Sequence, residues 1–408
     1  MKILVYGINY FPELTGIGKY TGEMSEWLSS RGHFVRVVTA PPYYPEWKVK
    51  DGYSSARYQR QCLGGVDVWR CPVWVPTSPT GLKRIIHLAS FAFSSSFVML
   101  RQVVWKPDVI LVVEPPLFCA PMTLICSWLS GSCAWLHVQD FEIDAAFDLG
   151  VIRSAQLKNL TSLVESWLMG GFSRVSTISQ QMFLRLSDKG VDSNRCVLFP
   201  NWVDVEMIYP LQSASSFRSE LGISESDIVV LYSGNMGEKQ GLEMIIEVAK
   251  RLSDRQDIVF VMCGHGAAYG RLRESAKGLR NMCWIPLQPL DRLNELLNLA
   301  DVHLLPQRGD VADLVMPSKL TGMLASGRPV LATALKDTQV SIVVENKGIV
   351  VPPDDVEGFT EALVVLADNP ELRWKFGENA RDYAVKYLGQ DAVLGRFEES
   401  LKACVSSK

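Results

Sequence analysis

The chain has 408 residues, 48% of them apolar and 21% charged, with 30 glycines and 21 prolines. At roughly 100–200 residues per domain that length holds two domains or one very large one, and the composition excludes a disordered chain or a disulfide-stapled miniprotein. Lys+Arg 41 against Asp+Glu 44 leaves a net charge of −3, so no overall field favours nucleic acid, and function has to reside in local sites.

The N-terminus, Met1 to Gly7, reads as a strand entering a glycine turn, without the basic start and cleavage site of an export signal. Nine cysteines are present without a C-x-x-C pair, and they are expected as reduced thiols of a cytoplasmic protein. Cys119, Cys126 and Cys133 recur every seven residues. That spacing fits small buried side chains better than a metal face.

Strand-like runs at 3–6, 34–39, 66–71, 109–113, 134–138, 175–178 and 196–199 alternate with stretches long enough for helical crossovers. Tyr20, Met24, Trp27 and Leu28 form one apolar stripe, and Gly32 is a natural helix stop. The segment 81–99 mixes Lys83 and Arg84 with Phe91, Phe93, Phe97 and Met99, which suits either a membrane-surface helix or a packed one. From Pro115 to Gln139 there is no charged residue, close to a membrane-spanning length. Pro121 and Gly131 divide that run into a short buried helix, Met122 to Leu129, and a buried strand, Cys133 to Val138.

The polar run Gln212 to Ser216 is expected to be the linker between two halves. Beyond it the alternation resumes with strands at 228–232, 258–262, 283–286, 302–305, 329–333 and 348–351, and the chain ends in helices at 373–387 and 392–402. Two doubly wound α/β halves follow, whose ligands belong at the carboxyl ends of the strands.

Several strand ends carry residues suited to an anion. Gly16 and Gly18 open a helix after the first strand, where they serve as turn glycines or let a phosphate approach the backbone. Gly234, Asn235, Lys239 and Gln240 follow the first strand of the second half, and Gly264-His265-Gly266 follows the next. His265 is either a turn residue or a ligand donor. Pro317 and Ser318 start a helix, and Lys319 stands in its first turn against the helix dipole, as an anionic ligand would require. Asp140 and Glu142, just past an apolar strand, could act as acid, base or charge stabiliser. No P-loop and no Gly-x-Ser-x-Gly elbow is present.

Taken together, Gly7 to Tyr10, Pro12 to Met24, Thr39 to Pro45, Gln139-Asp140, Phe199 to Trp202, Tyr232 to Asn235, Gly237 to Glu243 and Pro317 to Thr321 resemble the retaining GT-B glycosyltransferases of family 4 along essentially the whole chain. Among these, the resemblance is to the WcaI-type enzymes of colanic acid and related exopolysaccharide synthesis. It implies two Rossmann-like domains facing across a cleft: residues 1–210, joined by a returning C-terminal helix at about 388–408, would bind the acceptor, and residues 222–387 would bind a nucleotide sugar.

It also implies transfer of a sugar, fucose from GDP-fucose in the WcaI type, onto a lipid-diphosphate-linked oligosaccharide. Retention of configuration, no metal cofactor and peripheral contact with the cytoplasmic membrane face belong to the same expectation. Carried over residue by residue, Asp140 and Lys319 would be catalytic. Gly234, Asn235, Lys239, Gln240, Gly264, Gly266, Arg308, Ser318 and Leu320 would line the donor, and Gly16, Gly18 and Asn201 an acceptor or phosphate loop. Most of the family carries two glutamates eight positions apart, where this chain has Leu314 and Gly322. The usual Arg and Lys of the phosphate motif are Asn235 and Gln240, which leaves Lys239 and Arg308 as the substitute cations. Two other classes compete: a GT-B-shaped nucleotide-sugar epimerase, and an inactive binding protein.

Overall fold

The computed structural model describes residues 1–13, 16–78, 80–141, 155–237, 240–308 and 317–407, with the side chains of 155–159 also left aside. The chain divides into two compact units, residues 1–200 with 394–408 and residues 201–393.

The first unit is built on eight strands, β1 (Lys2–Tyr6), β2 (Phe34–Thr39), β3 (Gln59–Leu63), β4 (Val66–Arg70), β5 (Val109–Glu114), β6 (Cys133–Val138), β7 (Arg174–Thr177) and β8 (Cys196–Leu198). They lie in the order β3-β4-β2-β1-β5-β6-β7-β8. All pairings are parallel except β3 with β4. Every residue of β5 and β6 is buried, as expected of central strands covered on both faces. The hairpin of β3 and β4 closes through Gly64 and Gly65 at φ 54° and 78°, the two positive values that a two-residue turn of right-handed twist needs.

Its helices are α1 (Gly16–Ser30), α2 (Gly81–Val103), α3 (Ala120–Ser130), α4 (Ala155–Gly170) and α5 (Gln180–Asp188). Right-handed crossovers place α1 on one face of the sheet and α2 to α5 on the other. The helix α3 departs from the buried reading of 122–129. Cys126 is buried against the sheet, but Ile125, Trp128 and Leu129 stand in solvent, because an apolar residue on every side of a helix does not tell which side is covered.

The second unit holds β9 (Ile228–Ser233), β10 (Ile258–Cys263), β11 (Met282–Ile285), β12 (Val302–Leu305), β13 (Val330–Thr333) and β14 (Gly348–Val351), all parallel, in the order β11-β10-β9-β12-β13-β14. Its helices are α6 (Ser216–Leu221), α7 (Glu243–Arg251), α8 (Tyr269–Ser275), α9 (Leu293–Leu299), α10 (Ser318–Ala325), α11 (Gln339–Val344), α12 (Val356–Asp368) and α13 (Pro370–Tyr383). A final helix, α14 (Gln390–Ser406), passes from the second unit into the first, where Glu398 bonds His33 at 2.9 Å and Phe397 packs edge-on against Trp135.

Two further expectations are corrected. The polar run 212–216 is no linker, since the units divide at 200/201 and the whole run lies inside the second. Ser215 in this run caps α6, accepting from Phe217 N and donating to Glu295 O at 2.8 Å, and just ahead of the run Leu211 N donates to Asn298 Oδ1 at 2.9 Å. The cysteines are also not all thiols. The return of α14 joins Cys404 to Cys133 in a disulfide, a pairing across 271 residues that local spacing does not reveal. Cys71 and Cys126 remain free and buried, and burial pushes their thiols up to about 12 and about 11.

Candidate active site

In the second unit the carboxyl ends of β9, β10 and β12 lie side by side, and each runs into a loop. The loops after β9 and β10 touch through glycine. A Cβ on Gly264, at φ 148°, would sit 1.9 Å from Gly234 O, and one on Gly266 would sit 2.5 Å from Met236 O. Only glycine permits so close a backbone approach. Met236 N donates to the carbonyl of His265 at 2.9 Å and Gly234 N to Cys263 O at 3.0 Å, so the two loops form one hydrogen-bonded shelf. His265 is exposed, and what it contributes to the shelf is this carbonyl.

Lys319, in the first turn of α10, reaches over this shelf. Its Nζ lies 4.3 Å from the centre of the Tyr232 ring, and its stem passes within 3.6 Å of the Cβ position of Gly234. Tyr232 closes the arrangement from below by donating its hydroxyl to Asn235 O at 2.6 Å. Burial lowers the Lys319 ammonium to about 8, and among the described residues it makes no ion pair. A cation held against an aromatic face and a helix N-terminus is prepared for an anion that arrives from outside.

The expected donor residues distribute as follows. Gly234, Asn235, Gly264 and Gly266 build the shelf, and Gln240 braces it by accepting from Gly237 N at 3.1 Å. Arg308 follows β12 and lies beside the loop, its Cγ 3.2 Å from the Cβ position of Gly241. Ser318 is exposed beside Lys319, and its carbonyl accepts from Thr321 Oγ1. Leu320 differs from the expectation. Its side chain is fully buried in a core cluster with Leu305, Met323 and Leu324, and its N–H is committed to Pro317 O, so it packs beneath the lysine and offers a ligand no free group. Gly322 lies within α10 against Leu297. Lys239 and Leu314 lie outside the described residues.

In the first unit the loop after β1 shows a division of labour. Gly16 sits at φ 59° with open space where a Cβ would be, whereas a Cβ on Gly18 would strike Glu13 Oε2 at 2.6 Å. Glu13, buried, accepts from Tyr43 N and Tyr44 N at 3.0 Å and from Asn9 Nδ2 at 2.9 Å, and so ties the loop after β1 to the loop after β2. Burial raises its carboxyl above the ordinary range against the opposing pull of those donors. Sequence reasoning missed Glu13 and Tyr232 as parts of the site, although both stand inside motifs it had singled out.

Asp140 lies exposed just past the carboxyl end of β6. Below it runs a buried polar line: Gln139 Nε2 meets His137 Nε2 at 2.9 Å, and Ser176 Oγ meets both His137 Nδ1 at 2.9 Å and Trp135 Nε1 at 2.8 Å. Complete burial drives the His137 imidazole down to about 3, so it stays neutral and serves to hold the strand end. Asn201 belongs to the second unit and opens it just ahead of the bridge between Val203 and Gly389. Glu142 lies outside the described residues.

Two α/β sheets wrapped in helices, with a glycine shelf and a poised lysine at the strand ends of the second, form a scaffold suited to holding a phosphorylated ligand. Residues 15–202 match the glycosyl transferase 4-like domain and residues 214–383 the glycosyl transferases group 1 domain. Over 98% of this chain and 100% of the other, the sequence is 44% identical to a protein of Escherichia coli (strain K12) named as a colanic acid biosynthesis glycosyl transferase, WcaI. The chain belongs to this family of glycosyltransferases. Among solved structures, sucrose-phosphate synthase from Thermosynechococcus elongatus superposes with a TM-score of 0.74 at 15% identity, covering all of both chains. Anabaena HepE in complex with UDP-glucose superposes at 0.70 and 13%, over 99% of this chain and 100% of that one. At such identities the structures speak for the fold.

Proposed function

We propose that this glycosyltransferase moves a sugar from a nucleoside diphosphate onto a lipid-diphosphate-linked oligosaccharide during synthesis of a colanic acid-like exopolysaccharide. Fucose from GDP-fucose is the proposed donor, and the cytoplasmic face of the membrane the proposed place of work. The observation that carries the reading is Lys319, partly buried, depressed to about 8 and aimed over the glycine shelf. The 44% identity with WcaI supports the pathway.

Breaking the anomeric bond develops negative charge on the departing diphosphate. Groups that meet this charge more strongly in the transition state than in the ground state accelerate the step. In this reading Lys319 and the N–H groups at the start of α10 take that role, with Arg308 and Lys239 as further cations. The charge is met by the chain's own groups, so turnover should survive a chelator. The leaving oxygen then takes the proton of the acceptor hydroxyl on the face it vacates, which retains configuration, while Asp140 orients the acceptor or the sugar. The open backbone at Gly16 admits the acceptor side.

Thermal melting against GDP-, UDP- and ADP-sugars and the free nucleotides tests the donor site, because a ligand of the folded state alone raises its apparent stability. We expect the largest shift with GDP-fucose and GDP, and release of GDP with chelator present only when a lipid-linked acceptor is added. Absence of a shift with every nucleotide would sink the reading. Sugar isomerisation without acceptor would replace it with the epimerase.

A further inference from the structure

The outer side of the first unit's helix layer is apolar where a surface helix is ordinarily polar. On α2 one face, with Leu88, Phe91, Val98 and Met99, is buried against the sheet. A second apolar stripe runs the length of the helix on the outside, where Phe93 is 72% exposed and Phe97 is 59% exposed, their rings 5.6 Å apart. The neighbouring α3 repeats the pattern, with Ile125 and Trp128 outward and Trp128 82% exposed. Trp167 on α4 is 75% exposed, and Leu124 of α3 packs toward Gly171 at the end of α4. The three helices follow right-handed crossovers on one side of the sheet, and α2 and α3 lie in contact, so their stripes share one face. Contiguous exposed apolar surface of this kind marks an interaction site.

Charge selects the occupant. The two helices α2 and α3 contain Lys83, Arg84 and Arg101 and not one Asp or Glu. The acid of the described part of α4, Glu165, is buried and paired with Lys189 at 2.6 Å. The charges that α2 and α3 themselves carry are all cations, and an apolar stripe beside them complements an anionic lipid surface, whereas a two-fold contact with a second copy would bring the same cations together. Among the described residues no helix is long and apolar enough to cross a membrane, so the contact lies in the interfacial plane. The N-terminus of α2 follows the loop after β4, at the same end of the sheet as Gly16.

We infer that the outer face of α2, α3 and α4 seats the first unit on an anionic phospholipid bilayer, Phe93, Phe97 and Trp128 entering the headgroup boundary while Lys83, Arg84 and Arg101 meet lipid phosphates. This deepens the reading of a lipid-linked acceptor and rests on it for its purpose: an enzyme seated here meets its acceptor by diffusion in the membrane plane.

The test is flotation of the full chain with phosphatidylcholine vesicles, with and without about one third phosphatidylglycerol. Wild type should float with the anionic vesicles and weakly with the neutral ones. At about tenfold per 1.4 kcal/mol and about 1 kcal/mol per cation near the surface, Lys83→Ala/Arg84→Ala/Arg101→Ala should lower partitioning about a hundredfold. Phe93→Ser/Phe97→Ser/Trp128→Ser should abolish flotation with both kinds of vesicle. All six side chains are exposed, so both variants should keep the wild-type melting temperature and nucleotide response. Wild type that stays with neither vesicle, or an aromatic variant that floats as well as wild type, overturns the inference. So does a dimer in sedimentation equilibrium that Trp128→Ser dissolves, since the face would then belong to a second copy. Flotation uses no nucleotide sugar: a protein that floats but turns over no donor leaves the surface standing and removes the proposed reaction, and the reverse outcome does the opposite.

Discussion

The two units share a plan, a largely parallel sheet wrapped in helices, yet α7 of the second and α2 with α3 of the first treat their outer faces in opposite ways. In the second unit α7 buries Met244, Ile245, Ile246, Val248 and Ala249 and turns Glu243, Glu247, Lys250 and Arg251 to water, with Glu247 and Lys250 paired at 2.7 Å. In the first unit α2 and α3 bury one apolar face and expose another. A soluble ligand such as a nucleotide sugar asks nothing of the outer surface of the domain that holds it. An acceptor carried in a membrane does, and the apolar faces occur on the unit to which the family resemblance assigns the acceptor. In the proposed reading the difference separates two demands on one enzyme: charge at the strand ends of the second unit, and a surface on the first.

The sharpest way to break this comparison is to remove the charge. Lys319→Ala should lower turnover by about a hundredfold or more, the loss seen when one donor to a developing anion is deleted. Stability should not fall, because the native protein keeps this lysine partly buried at the expense of its charge. Steady-state kinetics beside a melting curve separates the two effects. A variant that turns over at the wild-type rate would leave the second unit without its assigned chemistry.

Next in size is the backbone shelf. Gly264→Ala places a methyl 1.9 Å from Gly234 O at φ 148°, and relief requires the two loops to part. We expect a stability loss of about 3 kcal/mol together with loss of the nucleotide-induced melting shift. Gly18→Ala in the first unit meets the Glu13 side chain, at Cβ as well as at the carboxylate, rather than a carbonyl of the main chain, and Glu13 can yield only by giving up its hold on Tyr43 and Tyr44. It should cost less, about 2 kcal/mol, and leave nucleotide binding intact.

These sites show what could be read in advance. The alternation of apolar runs and helical stretches was sufficient for every strand of the two sheets but one, because buried parallel strands are nearly continuous apolar segments, as in Val109–Glu114 with its five leading apolar residues. The strand Gln59–Leu63 was missed because it is a polar edge, although Gly64-Gly65 announced its turn. Glu13 was invisible as a clamp because its partners, Tyr43 and Tyr44, lie in another loop. The exposure of Trp128 could not be read from a helix with apolar residues all round. Leu320 shared a motif with Lys319 but faces the core, since adjacent helical positions point about 100° apart. The disulfide of Cys133 with Cys404 depends on where the last helix lands.

The pH dependence sharpens the assignment of Lys319 by a smaller margin. In the free protein its ammonium is depressed to about 8, and a bound diphosphate would raise it again. Binding therefore takes up a proton between the free and bound values. Affinity for GDP should be level below about pH 8 and then fall by about tenfold per pH unit until the bound value is reached. Calorimetric titration from about pH 6.5 to about pH 9.5 would show the break, and Lys319→Met should remove it while lowering affinity at neutral pH. A wild-type profile without a break would mean that the lysine does not face the phosphate.

The smallest effect belongs to Gly16, and its value lies in what it separates. At φ 59° an alanine costs about 1 kcal/mol from the left-handed backbone alone, because among the described residues no atom beyond the neighbouring stretch of chain lies within 4 Å of the added methyl. If Gly16 were only a turn residue, Gly16→Ala would shift the melting temperature slightly and leave kinetics untouched. If the backbone there must admit the acceptor, the same small stability loss should come with a fall of about tenfold or more in kcat/KM for the lipid-linked acceptor, at unchanged affinity for GDP. Gly18, two residues on, has its space already filled by Glu13 and is the internal control. A kinetic defect confined to Gly16→Ala would place the acceptor at the open side of this loop, on the unit whose outer face carries the apolar helices.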